Sequence, residues 1–236
     1  MPGTLYLIPT PLGKSKENEV LPDFVVQRIR KLDVLVVENI HTTSRFLEWI
    51  GETVPTYNIE FYHLNKRTPE QEIYSFLKPL KQNKDVGLLS EAGAPGVADP
   101  GAKLVKMAHQ RSIKVVPLVG PSSILLALMA SGFNGQQFSF HGYLPIDEKN
   151  RKQHIIQLEG ESRRHDRTQL FMEAPHRNLE LVQSILKYTQ NDTKLLIATD
   201  LTLSTEYIRS QSVADWKKGD LPDIQKRPTI FGLYAK

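Results

Sequence analysis

The sequence predicts an α/β fold in two domains, residues 1–119 and 120–236, and three observations support this prediction. Short apolar runs alternate with helical patterns along nearly the whole chain, which is typical of a largely parallel sheet covered on both faces. The length of 236 residues exceeds the usual size of one domain. The segment Val119–Pro121 separates two such series, and we therefore expect the domain boundary there.

The first domain contains four short apolar runs, which we interpret as buried strands, with helical patterns between them. The predicted strands are Leu5–Ile8, Val34–Val37, Val86–Leu89 and Val115–Leu118. The predicted helices are Phe24–Leu32, Thr43–Ile50, Pro69–Leu80 and Leu104–His109. Thr43 or Ser44 is the expected N-cap of the second helix, because a side-chain oxygen there can accept from a free backbone N–H.

The same alternation continues in the second domain. The predicted helices are Ser122–Ser131, Asp147–Gly160 and Leu179–Leu186, and Gly132 closes the first of them. The predicted strands are Phe138–Phe140, Leu170–Met172, Leu195–Ala198 and Ile230–Tyr234. The basic cluster Arg163–Arg167 has two interpretations, a solvated loop or a contact with an anionic substrate.

Composition and missing motifs exclude several classes of protein. The chain has no cysteine, which removes disulfides, zinc ribbons, iron–sulfur clusters and a cysteine nucleophile. No paired histidine motif is present, so no metal site is expected. The P-loop, G-x-G-x-x-G and G-x-S-x-G patterns are also missing, which weakens the NTPase, dehydrogenase and hydrolase interpretations. No signal peptide or membrane-spanning run is recognisable, so we expect a soluble cytoplasmic protein.

Three Gly/Pro-rich segments directly follow predicted strands, at Pro9–Gly13, Ser90–Gly101 and Gly120–Ser123. The carboxyl ends of parallel strands share one edge of the sheet, and ligands bind in the crevice there. The middle segment exposes backbone N–H and C=O groups, which suit a nucleoside or an amino-acid moiety. Ser122 and Ser123 open a helix, whose free N–H groups suit a carboxylate or a phosphate.

Two further positions have both a structural and a functional interpretation. Glu38 follows a predicted strand and either caps the next helix or places a carboxylate at the crevice. Glu173–Arg177 follows the Leu170–Met172 strand. There, Arg177 either lies in a solvated first turn or contacts the substrate.

The order and spacing of six segments resemble one known family over nearly the whole chain. It is the tetrapyrrole-methylase superfamily of S-adenosylmethionine (SAM) dependent methyltransferases. Within it, the sequence is most similar to the ribosomal small-subunit RNA (cytidine-2′-O)-methyltransferases, as a divergent member. The matching segments are Gly3–Gly13, Ala92–Gly101, Val116–Ser123, Ala130–Phe133, Gly142–Pro145 and Glu173–Arg177.

The resemblance implies two α/β domains, the second with a mixed sheet, with SAM in the cleft between them and usually a homodimer. RNA or a ribosomal particle is the implied partner. The cofactor residues implied in the first domain and at the helix start are Pro11, Ser90, Ala92, Gly93, Val97, Ala98, Asp99, Pro121, Ser122 and Ser123. Those implied in the second domain are Phe171, Met172, Ala198, Thr229 and Ile230.

Several polar positions differ from those usual in the RNA-modifying relatives, whereas the glycines and prolines that shape the loops are kept. Lys14 stands where asparagine is usual, Glu91 where aspartate is usual, and Asn39–His41 where an Asp-Thr-Arg run is usual. We therefore expect a retained cofactor site and an altered acceptor site.

Methyl transfer from SAM needs no covalent nucleophile, because the cofactor carries both the methyl group and its leaving group. A hydroxyl or amide acceptor would need a base, for which Glu38, His63 and Glu91 are the candidates. Two alternatives stay open at this point, a small-molecule methyltransferase and a catalytically silent SAM-binding protein. An RNA acceptor predicts steep salt dependence of binding, and a small molecule does not.

Overall fold

The computed structural model describes residues 2–14, 19–51 and 58–236. Internal contacts divide the chain into two compact units, Met1–Ser122 and Ser123–Lys236. We call them the N-terminal and C-terminal units. Among the described residues, each unit contains one five-stranded sheet.

The sheet of the N-terminal unit is parallel throughout, with the strand order β3-β2-β4-β1-β5. Its elements in chain order are β1 (Leu5–Ile8), α1 (Asp23–Ile29), β2 (Val34–Val37), α2 (Ile40–Trp49), β3 (Glu60–His63), α3 (Glu70–Ser75), α4 (Lys78–Lys81), β4 (Val86–Leu89), α5 (Ala102–His109) and β5 (Val115–Pro117). All five strands point the same way, so the loops after them lie at one edge of the sheet.

Helices cover both faces of this sheet, as the apolar strands predict. Val34 and Val36 of β2 pack with α3, α4 and α5, whereas Leu35 and Val37 pack with α1 and α2. The alternation follows from the strand period of two residues. The chain crosses the sheet in one direction through α1 and α2 and in the other direction through α3, α4 and α5. Because connections between parallel strands are right-handed, these two sets of helices lie on opposite faces.

The sheet of the C-terminal unit is mixed, with the order β6-β7-β10-β8-β9. Its elements are α6 (Ser123–Ser131), β6 (Phe138–Tyr143), α7 (Glu148–His165), β7 (Thr168–Met172), a 3-10 turn (Pro175–Arg177), α8 (Asn178–Tyr188), β8 (Lys194–Thr199), β9 (Tyr207–Ser212), α9 (Val213–Trp216) and β10 (Thr229–Tyr234). Only β6 and β7 pair in parallel, and the other pairs are antiparallel. One face packs with α7, α8 and α9, and Phe171 stacks on Phe231 there at 6.1 Å between ring centroids.

Two of the predicted helices differ from the structure. The expected cap at Thr43 or Ser44 is wrong, since α2 begins at Ile40 and Asn39 caps it by accepting from His41 N at 3.0 Å. Glu38 therefore does not cap this helix. The single helix predicted over Pro69–Leu80 is two helices, with Pro79 in the first turn of α4. Proline has no N–H to continue an earlier helix, so it favours a new start.

Other differences concern polar segments. The cluster Arg163–Arg167, one interpretation of which was a loop, contributes its first three residues to the last turn of α7. The sequence also gave no sign of β3 and β9, which are edge strands and contain no buried apolar run. Among the described residues, none of the helices is both long and apolar enough to cross a membrane.

Candidate functional site

The loops after β1 and β4 are joined at the carboxyl edge of the parallel sheet. Thr10 N donates to Gly93 O and Gly93 N donates to Thr10 O, each at 3.0 Å. Thr10 Oγ1 donates to Ser90 O at 3.1 Å, and Ser90 Oγ donates to Gly93 O at 2.8 Å. Three of these hydrogen bonds hold two of the three Gly/Pro-rich segments against each other, and the bond from Ser90 to Gly93 braces the loop after β4 internally.

The third segment lies against the first two. A Cβ added to Gly120 would fall 2.5 Å from Pro9 Cγ, so the backbone of Gly120 touches the loop after β1. A Cβ added to Gly93 would fall 3.3 Å from Leu12 Cδ2 and 3.7 Å from Pro121 O. Gly93 also has a φ of +76°, a conformation that favours glycine. Within the N-terminal unit, the three loops therefore form one continuous surface.

Asp99 shapes the loop after β4 from within. Its Oδ1 accepts from Gly96 N at 2.8 Å and from Gly101 N at 2.6 Å. Burial raises the pKa of the Asp99 carboxyl, and the two backbone N–H groups act in the opposite direction. Between these donors, Ala98 has a φ of +60°, and Val97 projects outward with 51% of its surface exposed. Asp99 thus holds the loop in a shape that presents its middle residues to solvent.

The cofactor residues predicted in this region differ in how open they are. The exposed ones are Ala92, Val97 and Ala98; the half-buried ones are Pro11, Asp99, Ser122 and Ser123; the buried ones are Ser90, Gly93 and Pro121. The open positions lie in the loop after β4, where backbone groups can reach a ligand.

Of the three candidate bases, Glu91 and His63 each lie within electrostatic reach of Glu38. Burial raises the pKa of the Glu38 carboxyl, and the negative charges of Asp99 and Glu91 raise it further. Lys66 and His63 act in the opposite direction and lower it. Thr42 Oγ1 donates to Glu91 Oε1 at 2.7 Å, so one oxygen of Glu91 is already engaged. A carboxyl group with a raised pKa is a stronger base than an ordinary one, which suits Glu38 to proton transfer.

A cavity of about 340 Å³ opens beside these loops, and we call it the α2 pocket. The residues that line it are Thr10, Pro11, Leu12, Gly13, Lys14, Thr42, Thr43, Arg45, Phe46, Trp49, Ser90, Glu91 and Ala92. The sequence analysis did not identify the contribution of α2 to a site. The signal available was the spacing of Thr42, Arg45, Phe46 and Trp49, which places them on one side of a helix.

In the C-terminal unit, three of the predicted cofactor residues form a row across neighbouring strands. Ile230 of β10 pairs with Met172 of β7 on one side and with Ala198 of β8 on the other. Thr229 lies one residue earlier and pairs with Thr199. Phe171 is different, because its side chain is fully buried in the core of this unit. The whole residue is 0% exposed within this unit.

Arg177, the predicted substrate contact, pairs with a buried carboxylate. Its guanidinium donates to Glu173 Oε1 through Nε at 3.0 Å and also through Nη2. The Glu173 side chain is 0% exposed, and Glu173 Oε2 has no hydrogen-bond partner among the described residues. Asn178 continues the cluster by donating to Ile224 O and Arg227 O, both at 2.8 Å. Arg177 therefore neutralises a carboxylate that would otherwise be stranded.

In the part of the chain that the structure describes, no group of three His, Asp or Glu side chains could hold a metal ion. The candidate site consists of the three Gly/Pro-rich loops, the carboxylates of Glu38, Glu91 and Asp99, and the α2 pocket with Phe46 and Trp49.

Comparisons with known proteins give consistent results. A sequence model of the tetrapyrrole (corrin/porphyrin) methylases matches residues 4–216. Ribosomal RNA small subunit methyltransferase I of Buchnera aphidicola is 32% identical over 97% of this chain and 77% of its own length. The proteins of that name from Vibrio cholerae and Escherichia coli O157:H7 are 30% and 28% identical; they cover 89% and 92% of this chain and 69% and 73% of their own lengths. The crystal structure of the methyltransferase CobJ matches with a TM-score of 0.63 at 16% identity, over 98% of this chain and 92% of CobJ.

Proposed function

Because the chain belongs to the tetrapyrrole (corrin/porphyrin) methylase family and is a methyltransferase, we propose that it transfers a methyl group from SAM to a nucleotide of ribosomal RNA. The relatives are named for the RNA of the small ribosomal subunit, and the similarity extends over both units. A ribosomal substrate would place the protein in the cytoplasm. The observation that supports the proposal best is the joining of three Gly/Pro-rich loops at the carboxyl edge of the parallel sheet.

The loop surface fits the cofactor by its shape and its chemistry. Gly93 is buried and bonded to Thr10, and it allows a loop shape that any other residue would obstruct with a Cβ against Leu12. The outward residues Ala92, Val97 and Ala98 leave main-chain donors and acceptors for the polar edges of an adenosine or a methionine. The contacts from Met172, Ala198, Thr229 and Ile230 in the C-terminal unit remain a prediction.

When bound, SAM would supply an activated methyl group together with its own leaving group. The residues of this chain must therefore orient the acceptor, exclude water and remove a proton when the acceptor is a hydroxyl. We propose that Glu38 removes this proton, since burial and the neighbouring carboxylates of Asp99 and Glu91 favour its protonated form. The charge of Glu91 raises the pKa of Glu38, and His63 lowers it.

We also propose that the protein is a homodimer, and α6 supports this. Leu125 and Met129 lie one turn apart on this helix and are 51% and 79% exposed. Apolar side chains grouped this way on a surface are typical of an interface. Sedimentation velocity tests the proposal, with Met129→Glu expected to shift a dimer toward the monomer. A wild-type protein that sediments as a monomer at every concentration would contradict it.

Calorimetric titration with SAM and S-adenosylhomocysteine is the first test of the function. Binding of one molecule per chain supports the cofactor site and leads to a labelled-methyl assay on small-subunit RNA and on intact subunits. The absence both of heat and of a ligand-dependent rise in melting temperature would contradict the proposal. If the protein binds the cofactor and methylates a small molecule but not RNA, the proposed RNA acceptor is wrong and the protein is a small-molecule methyltransferase.

A further inference from the structure

We propose that the α2 pocket receives the base of the RNA nucleotide that is methylated, with Phe46 and Trp49 as its stacking partners. This inference rests on the proposed function and specifies where its acceptor lies. Enzymes that modify a nucleotide commonly take it out of the base stack and hold its ring between apolar or aromatic side chains. The pocket offers such a place inside the N-terminal unit.

The geometry of α2 provides the aromatic wall. Leu47 is buried in the core, whereas Phe46 and Trp49 are half-buried and line the cavity while part of each ring packs against the core beneath it. The ring centroids of Phe46 and Trp49 are 6.3 Å apart, with a tilt of 32° between the rings. Two aromatic rings are therefore held as neighbours between the core and the cavity.

The size of the cavity limits what can enter. A volume of about 340 Å³ is at the lower end of the range for small-molecule sites, which is roughly 300–1,000 Å³. It suits one nucleoside and excludes a stacked run of bases. Pro11 and Leu12 form the apolar wall on the loop side of the pocket.

Charge at the pocket favours a nucleic acid over an uncharged ring. Lys14 and Arg45 line the cavity and are exposed. Aromatic side chains beside positive charges are the combination that binds single-stranded nucleic acid, because bases stack while the cations attract the backbone phosphates. Among the described residues, Glu91 is the one carboxylate that lines the pocket, and Thr42 engages one of its oxygens.

The pocket lies next to the loops and carboxylates that we propose for methyl transfer. Thr10, Pro11, Ser90 and Ala92 line the pocket and also belong to the two loops that we propose for the cofactor. Glu38, the proposed base, lies close enough to Glu91 for their charges to interact. A nucleobase held by Phe46 and Trp49 would thus bring the ribose of the same nucleotide beside the cofactor loops and the carboxylates of Glu38 and Glu91.

The test compares Phe46→Leu/Trp49→Leu with Phe24→Leu. Phe24 is an aromatic residue of α1 that is 54% exposed and lies outside the pocket, so it is the matched control. The probes are a short single-stranded RNA of mixed sequence and the same strand without bases, with affinity measured by fluorescence anisotropy at one salt concentration. We expect the double variant to bind the base-bearing RNA on the order of tenfold more weakly. Its affinities for the baseless strand and for SAM should not change.

Three results would overturn the inference. The first is a double variant that binds RNA and transfers methyl groups as well as the wild type does. The second is a loss of SAM affinity with RNA affinity unchanged, which would assign the pocket to the cofactor. The third is a wild type that binds SAM but no RNA. A wild type that binds no SAM would refute the proposed function itself.

A second measurement covers the case in which the double variant folds poorly. Trp216 is buried at 2% exposure, whereas Trp49 is half-buried at the pocket. In the wild type, the base-bearing RNA should quench the emission of Trp49, and the baseless strand should not. Equal quenching by both strands would contradict stacking.

Discussion

Replacing Gly93 with alanine tests the loop surface directly, because both its backbone and its surroundings demand glycine. The residue has a φ of +76°, and an added Cβ would lie 3.3 Å from Leu12 Cδ2. Its N–H and C=O are both bonded to Thr10, so the backbone cannot rotate away without losing that bridge. The substitution therefore strains the point where the loops meet.

The expected magnitude follows from the left-handed conformation, which costs a residue with a Cβ roughly 1–2 kcal/mol. We expect the free energy of unfolding to fall by about this amount, which corresponds to a melting temperature lower by about 2–4 °C for each kcal/mol. If the loop after β4 moves to relieve the strain, the conformation that binds SAM becomes less populated than the relaxed one. The same energy then raises the Kd for SAM about five- to thirtyfold.

Gly132→Ala is the matched control. Gly132 has a φ of +69°, and no heavy atom of the described residues lies within 4 Å of an added Cβ. An alanine there would carry the same backbone strain without a new contact to the part of the chain that the structure describes. We expect a similar loss of stability and an unchanged Kd for SAM, with thermal unfolding and calorimetry as the two assays.

Gly93→Val makes the outcome decisive, since a branched side chain cannot fit between Leu12 and Pro121 O. We expect it to abolish measurable SAM binding. If both Gly93 variants fold and bind SAM as the wild type does, the loop after β4 does not line the cofactor site, and our assignment is refuted.

Three other substitutions test the remaining parts of the site. Ser122→Asp should weaken SAM by placing a like charge beside its carboxylate, whereas Ser122→Asn should not, as calorimetry would show; unchanged affinity in Ser122→Asp would contradict the cofactor pose. We expect wild-type activity to fall as pH drops through the raised pKa of Glu38, and Glu38→Gln, which lacks the proposed base, should have low activity without this fall. Because that pKa is raised in the folded state, ionisation of Glu38 destabilises the fold, and Glu38→Gln should be the more stable protein at neutral pH, by a margin that disappears below the ordinary carboxyl pKa; the opposite order would contradict this. Arg177→Ala should lower the free energy of unfolding by about 3 kcal/mol, because it leaves the buried Glu173 carboxylate unpaired. Denaturant unfolding would measure this, and a neutral result would mean that the pair contributes little to the fold.

Much of the fold could be predicted because local patterns of apolar and polar residues indicate most of the helices and strands. Strands buried on both faces are continuous apolar runs, such as Val34–Val37, and the structure confirms a parallel sheet with helices on both faces. The edge strands β3 and β9 escaped prediction, because an edge strand need not have such a run. The N-cap Asn39 was also missed, since Thr43 and Ser44 are equally good capping residues by type.

The site divides in the same way. The three Gly/Pro-rich loops and their place after strands could be predicted from local sequence, because glycine permits and proline fixes backbone conformations that other residues do not. The three-dimensional fold was needed to show that Thr10 bonds Gly93, that Glu38 lies near Glu91 and Asp99, and that Arg177 neutralises Glu173. It alone showed that Phe46 and Trp49, which pack partly against the core, also line a cavity. These contacts join residues brought together by the order of the strands, and that order depends on pairing across the chain rather than on any local pattern.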